Sequence, residues 1–147
     1  MISYQSAVTI ARTPAEVFRY LVEPAKQALW SDVPMRQVTP GELMTGSRIE
    51  VTFGKGPLKA TLGLEMTALE ENSRMAFNTY SGPIRWQGEY RLMPTDDGGT
   101  SLSQEGTLQF TGLWRLLQPF VGAEIKSGEI KELERLKTAA EGGPREA

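Results

Sequence analysis

The sequence predicts an α+β protein in which one curved antiparallel sheet wraps around a long C-terminal helix. Three observations lead to this prediction: a first strand followed by two short helical segments, a central run of alternating strands with short turns, and an amphipathic helical pattern at the end. Short connections between successive strands favour antiparallel pairing. A sheet with one apolar face must cover it, and only the C-terminal helix is long enough to do so.

The N-terminal part of the chain combines one strand with two short helices. Residues 3–11 alternate in polarity, which predicts the first strand. Thr13 then offers an N-cap, Pro14 suits the first helical position, and Glu16 places an acid in the first turn. Pro24 interrupts this helix, and residues 25–30 predict a second short helix.

The middle of the chain, residues 47–110, reads as strands and turns. Polarity alternates in each segment, and the intervening turns contain glycine, proline or aspartate. Together with the first strand, these segments predict a sheet of about six to seven strands. The predicted strands of this part are residues 47–54, 58–69, 74–81, 84–93 and 99–110.

The last part of the chain returns to a helical pattern. Ile125, Leu133, Leu136 and Ala140 fall on one stripe at helical spacing. The run of two glycines and a proline at residues 142–144 would end this helix. We therefore expect a single ligand-binding domain over residues 1–142 and a frayed tail over residues 143–147.

One strand, IRWQGEYRLMP at residues 84–94, suggests an internal cavity. Its covered face places Gly88, the smallest residue, between the aromatic rings of Trp86 and Tyr90. A close-packed core would fill that volume, so either another part of the chain or a ligand must occupy it. We expect Gly88 to keep a cavity open between the sheet and the C-terminal helix.

Polar and small residues on the same face extend this expectation, although the aromatic residues could equally be ordinary core. In the alternating pattern of their strands, Gln104 and Thr79 fall on the same face as the apolar residues. A buried amide such as that of Gln104 needs hydrogen-bond partners. Trp30 could line the cavity or plug the layer of short helices, and the neighbouring Asp32 could belong to the cavity mouth or to a turn. The candidate ligand-binding residues are Trp30, Leu62, Leu64, Phe77, Thr79, Trp86, Gly88, Tyr90, Gln104, Leu108 and Ile125.

Glu129 is the candidate for proton transfer. It falls between Ile125 and Leu133 on the apolar stripe, where burial would raise its pKa toward the range of a general acid or base. Alternatively, the helix could bend near Gly122 and Gly128 and turn the carboxylate to solvent. If the protein is an enzyme, Glu129, Tyr90 and Gln104 are its candidate catalytic residues.

Composition excludes several kinds of function. The 147 residues include no cysteine and no histidine, which rules out thiolate nucleophiles, zinc–thiolate sites and imidazole catalysis. We therefore expect no metal and no cofactor. The net charge of −2 predicts no nucleic-acid partner, and the absence of a run of about 18 apolar residues predicts no stable membrane insertion. No signal peptide is evident, so the expected location is cytoplasmic.

Several stretches together resemble the START-related superfamily with the helix-grip fold, which contains polyketide cyclase/dehydrase-like and birch-pollen-allergen-like proteins. The similar segments, in the order of that family, are VTIARTPAEVFRYLVEPAKQALW, PGELMTGSRIEV, ALEENSRMAF, GEYRLMPTDDGGTSLS and LERLK. The resemblance implies a hydrophobic cavity whose occupants range from lipids and quinones to polyketides. It leaves open a binding module for a small hydrophobic molecule, a cofactor-independent cyclase or dehydratase, and a regulator acting through protein contacts. The oligomeric state is left open too.

Overall fold

The computed structural model describes residues 1–31, 33–54 and 56–143. Within these residues, seven strands and three helices follow one another in an order that begins with a strand and ends with the longest helix. In chain order they are β1 (Ile2–Ile10), α1 (Pro14–Val22), α2 (Pro24–Gln27), β2 (Met35–Gln37), β3 (Arg48–Phe53), β4 (Ala60–Glu70), β5 (Arg74–Ser81), β6 (Ile84–Pro94), β7 (Thr100–Phe110) and α3 (Gln118–Gly142), with short 3₁₀ turns at Gly56–Leu58 and Gly112–Leu116.

The strands form one seven-stranded sheet with the order β1-β7-β6-β5-β4-β3-β2. Every neighbouring pair is antiparallel, so the predicted fold class, a curved antiparallel sheet gripping a C-terminal helix, is confirmed. The sequence-based prediction missed β2, because three residues at a sheet edge are too few to show alternation. The second helix is also shorter than predicted, ending at Gln27 instead of Trp30.

The first helix begins as the sequence indicated. The Thr13 hydroxyl accepts a hydrogen bond from the Glu16 amide at 3.2 Å, which satisfies one of the unpaired N–H groups of the first turn. Pro14 occupies the first turn, where its missing N–H costs nothing. The buried side chains of this helix are Val17, Phe18, Tyr20 and Leu21.

The inner face of the sheet carries the core. The seven residues that alternation places on the covered face of the central strands are all buried, which confirms the predicted assignment of inner and outer faces. These residues are Leu62, Leu64, Phe77, Trp86, Tyr90, Gln104 and Leu108.

Helix α3 packs against the core mainly through its C-terminal half. Its buried residues, Glu129, Leu133, Leu136 and Ala140, all lie in the C-terminal half. Residues 118–128 contribute no fully buried side chain, and Ile125 is only half-buried. Just before and within this stretch, Leu113, Leu116 and Phe120 are exposed. Of the predicted tail, only Gly143 is among the described residues.

Candidate functional site

A small cavity lies where the inner face of the sheet, the segment after α2 and the middle of α3 meet. Its volume is about 40 Å³. A single buried water needs a space of about 10–15 Å³, so the cavity has room for a small group and not for a ring system. Its lining includes Trp30, Leu64, Phe77, Trp86, Tyr90, Glu129 and Glu132.

Glu129 brings a carboxylate to this cavity. Only 7% of the residue is exposed, and within the described part of the chain no side chain or backbone group hydrogen-bonds to its carboxylate. Burial, and secondarily the negative charge of Glu132, raises the pKa of Glu129 to about 8. The predicted burial at this position is therefore observed, and the alternative in which the helix turns the carboxylate to solvent is not.

Two tyrosines share this environment. Burial raises the pKa of Tyr90 well above its ordinary value, and the charge of Glu129 adds to the effect. Burial likewise raises the pKa of Tyr4, whose hydroxyl accepts a hydrogen bond from the Trp86 indole N–H at 2.9 Å. Both phenols therefore stay neutral around pH 7 and can act only as hydrogen-bonding groups, whereas Glu129 titrates near neutrality.

The aromatic rings of the cavity wall are fixed by packing and hydrogen bonds. The Trp30 indole N–H donates to the Tyr20 carbonyl at 2.7 Å, and its ring meets Tyr90 edge-on at 6.4 Å. On the other side, Phe77 and Trp86 form an edge-on pair at 4.6 Å. The wall is consequently preformed, and Trp30 lines the cavity as well as closing the layer of short helices.

Gln104 holds other elements together instead of facing the cavity. Its side-chain N–H groups donate to the Ser6 hydroxyl at 3.0 Å and to the Glu129 backbone carbonyl at 2.9 Å. The amide thus connects β7 to β1 and to α3, at the residue that carries the buried carboxylate. Its predicted role in binding or catalysis stays a prediction. Its hydrogen bonds fix the position of α3 relative to the sheet.

The gap at Gly88 is filled from within the chain, so the prediction that it holds a cavity open is wrong. Gly88 pairs with Phe77 on β5, and a Cβ atom at Gly88 would lie 2.3 Å from the end of the Phe77 ring. The same arrangement recurs next to it, where Gly106 pairs with Gly88 and lies under the ring of Tyr4. Two aromatic side chains therefore lie over two paired glycines, and the glycines are packing partners.

The remaining predicted residues do not line the cavity. Leu62 and Leu108 are core residues, and Ile125 packs at the margin of the core. The Thr79 hydroxyl is used within the sheet, where it accepts from the Trp86 amide at 2.7 Å and donates to the Trp86 carbonyl at 3.0 Å. Asp32, the candidate at the cavity mouth, lies outside the described residues.

A larger apolar groove adjoins the cavity on the side of α2 and β2. Its volume is about 340 Å³, which is within the range of small-molecule sites. It is lined by Val22, Pro24, Gln27, Ala28, Ser31, Val33, Pro34, Met35, Gln37, Leu43 and Ile49. Five of these residues, Gln27, Ser31, Val33, Met35 and Ile49, also line the cavity, so the groove leads directly to it.

The sequence did not predict this groove. It indicated only that the region just after α2, around Trp30, could belong to a binding site. The only signal was the apolar run Val33, Pro34 and Met35 next to Trp30. A second and larger depression, of about 730 Å³, lies on the outer face of the sheet around Arg74 and Glu89. It is shallow and wide open to solvent, and an ion pair joins those two residues. We therefore regard the groove as the candidate binding site.

Two other kinds of site are not seen in the part of the chain that the structure describes. No group of three or more acidic residues is placed to hold a metal ion there. No helix among residues 1–31, 33–54 and 56–143 is long and apolar enough to cross a membrane.

Comparison with known proteins assigns the class to which this fold and site belong. Residues 1–141 match the protein family described as polyketide cyclase/dehydrase and lipid transport. Because the match spans nearly the whole chain, the protein belongs to this family, as the resemblance in its sequence indicated. No curated protein matches the sequence significantly.

Solved structures agree with this assignment at the level of fold. The Zhui aromatase/cyclase from Streptomyces sp. R1128 superposes with a TM-score of 0.76 at 13% identity, covering 95% of this chain and 93% of that one. A protein from Thermus thermophilus gives 0.75 at 16% identity, with 94% and 96% covered. Ara h 8.0201 gives 0.71 at 14% identity, with 96% and 98% covered. At these identities the likeness establishes the helix-grip fold alone.

Proposed function

We propose that the protein binds a small, largely apolar ligand whose body lies in the groove and whose end enters the cavity beside Glu129. The observation that carries this proposal is the continuity of the two spaces, an apolar groove of about 340 Å³ that ends at a buried carboxylate. Membership of a family that includes cyclases and lipid-transport proteins supports a ligand-binding or cyclase role.

The size of the inner cavity restricts the ligand. A space of about 40 Å³ accepts a group of a few heavy atoms, so a fused polycyclic ligand would not enter it without movement of the surrounding side chains. Apolar contacts in the groove would supply most of the affinity through burial of surface. The end group would be selected by Glu129 and by the rings around it.

The test is to block the groove. Ala28 lines the groove and is exposed, so Ala28→Trp should fill the groove without disturbing the core. Binding of a small apolar probe, naphthylethanol, is measured by calorimetry on this variant, on the unmodified protein, and on Ala123→Trp, a matched change at an exposed site on α3. We expect only Ala28→Trp to lose binding. Equal binding by all three proteins would contradict the proposal.

A second function, cyclisation or dehydration of the bound molecule, is favoured by one observation. Glu129 has a pKa of about 8 and faces the cavity, as a general acid or base near neutrality requires. The neutral Tyr90 phenol on the same wall could donate a hydrogen bond to an enolate oxygen. No cofactor enters this proposal.

Turnover by Glu129→Gln separates the two functions. On a poly-β-ketone substrate, an enzyme that uses this carboxylate should lose about 10²–10⁴-fold in turnover with little change in affinity. Full activity in this variant would remove Glu129 from the mechanism and leave Tyr90 and Gln104 as the catalytic candidates. Binding without turnover in either protein would favour the binding module.

A further inference from the structure

We infer that the end group admitted to the inner cavity is a small cationic nitrogen, so that the ligand class is an amine with an apolar body. This inference rests on the proposed function and names the chemistry that the same site would recognise. It depends on three features of the cavity: the charged groups among its described lining residues are acidic, its walls are aromatic, and its size suits a small end group.

The first feature is the sign of the charge. Glu129 and Glu132 both line the cavity, and no lysine or arginine is among the described residues that line it. Glu132 has a cation nearby, since Arg135 lies 4.0 Å away on the solvent side of α3. Glu129, by contrast, is only 7% exposed, and no described residue gives its carboxylate a hydrogen bond or an ion pair. An ionised carboxylate is costly to bury unless it is paired, so a ligand that supplies the positive charge would stabilise the ionised form of Glu129.

The second feature is the aromatic wall. Trp30, Phe77, Trp86 and Tyr90 all line the cavity that holds the carboxylate. The faces of aromatic rings attract ammonium groups, and the effect increases when the cation is removed from water. The same rings offer no advantage to an anionic end group, and no described lining residue of the cavity supplies a positive charge to bind one.

The third feature is size. A primary ammonium group with one or two methylenes occupies little more than a few water molecules and fits a space of about 40 Å³. The apolar body of the ligand would remain in the groove, whose lining consists mainly of valine, proline, alanine, methionine, leucine and isoleucine side chains. The geometry thus selects an apolar molecule that ends in a short aminoalkyl arm.

The pH dependence of binding follows from the groups that face Glu129. These are Glu132 on the same helix, Tyr90 on β6 and Tyr4 on β1, and both phenols are neutral around pH 7. Because the pKa of Glu129 is about 8, the carboxyl group must lose its proton when an ammonium ion binds at lower pH. Amine binding should therefore release a proton and tighten as pH rises from about 6 to about 8, by up to about tenfold per pH unit.

The experiment compares three probes that share one body: naphthylethylamine, naphthylethanol and naphthylpropionate. Dissociation constants are measured by calorimetry on the unmodified protein, on Glu129→Gln and on Glu124→Gln, a matched change at an exposed position on α3. We expect the amine to bind about 10- to 100-fold more tightly than the alcohol, the range expected of one hydrogen bond to a charged group. The preference should disappear in Glu129→Gln and persist in Glu124→Gln.

Proton release provides a readout that does not depend on any variant folding. Binding heats in buffers of different ionisation enthalpy should show a proton released near pH 7 with the amine and none with the alcohol. If the alcohol binds as tightly as the amine, or the propionate binds most tightly, the inference of an amine is overturned while the proposed site stands. If none of the three probes binds, the proposed function fails together with it.

Discussion

At the scale of single residues, Glu129 is the buried residue that packing alone explains least well. A leucine would suit its place on the stripe between Ile125 and Leu133, and the glutamate there is 7% exposed. Since the folded protein holds this carboxyl group with a pKa of about 8, against 4.5 for a free one, its ionisation works against folding. Such a residue is more readily explained by a ligand than by stability.

The stability of the protein should therefore depend on pH through Glu129. Below about pH 4.5 the group is protonated in both states and has no effect. Between about 4.5 and 8 the unfolded chain ionises while the folded protein does not, so the free energy of unfolding should fall as pH rises. Urea unfolding at a series of pH values should show this loss in the unmodified protein, and a smaller loss in Glu129→Gln. Identical pH profiles for the two proteins would mean that Glu129 is not held in its uncharged form.

A second prediction at this scale concerns the paired glycines. In Gly88→Ala, the new Cβ would lie 2.3 Å from the Phe77 ring, so that ring or the strand must move. We expect a loss of about 1–3 kcal/mol in the free energy of unfolding, as for other overpacked cores. Combining it with Phe77→Leu should cost less than the sum of the two single changes, because the shorter side chain makes room. Strict additivity in chemical denaturation would show that Phe77 does not fill the space over Gly88.

At the scale of elements, α3 divides into a buried C-terminal half and a first half with no fully buried residue. Gly122 and Gly128 both lie within or beside the first half, where glycine weakens a helix. The Gln104 amide joins the sheet to the backbone at Glu129, close to where the buried half begins. The helix is thus fixed to the rest of the protein at Glu129 and along the C-terminal half that follows it.

Gly128→Ala should strengthen this helix. A Cβ at this position would meet no atom within 4 Å, so only the backbone preference changes, and we expect a gain of about 0.5–1 kcal/mol in the free energy of unfolding. Gly112→Ala is the matched control, because its Cβ would also meet no neighbour while its φ of +59° lies in the left-handed region. That change should destabilise by about 1–2 kcal/mol. Thermal unfolding with equal effects of the two changes would contradict the assignment of Gly128 to a regular helix.

At the scale of the whole molecule, the sequence was sufficient to predict the sheet and its inner face. Alternating polarity identified the long strands, and helical spacing placed Glu129 against the core. The occupant of the space at Gly88 could not be predicted, because it depends on the register between β5 and β6, which places Phe77 opposite the glycine. The groove could not be predicted either, since its residues come from α1, α2, β2, β3 and the segments between them and meet only in the folded chain.

The most direct test of the central claim is to locate a bound ligand through the three tryptophan side chains. Trp30 and Trp86 line the inner cavity, whereas Trp114 lies before α3 and is not among the lining residues. In a ¹⁵N-correlated NMR spectrum, each gives a separate indole N–H signal, which can be followed during titration with naphthylethylamine. We predict that the Trp30 and Trp86 signals shift together in a saturable way while that of Trp114 stays in place. A shift confined to Trp114, or changes limited to amides of the outer face such as Asn78 and Gln87, would place the ligand elsewhere and contradict the account.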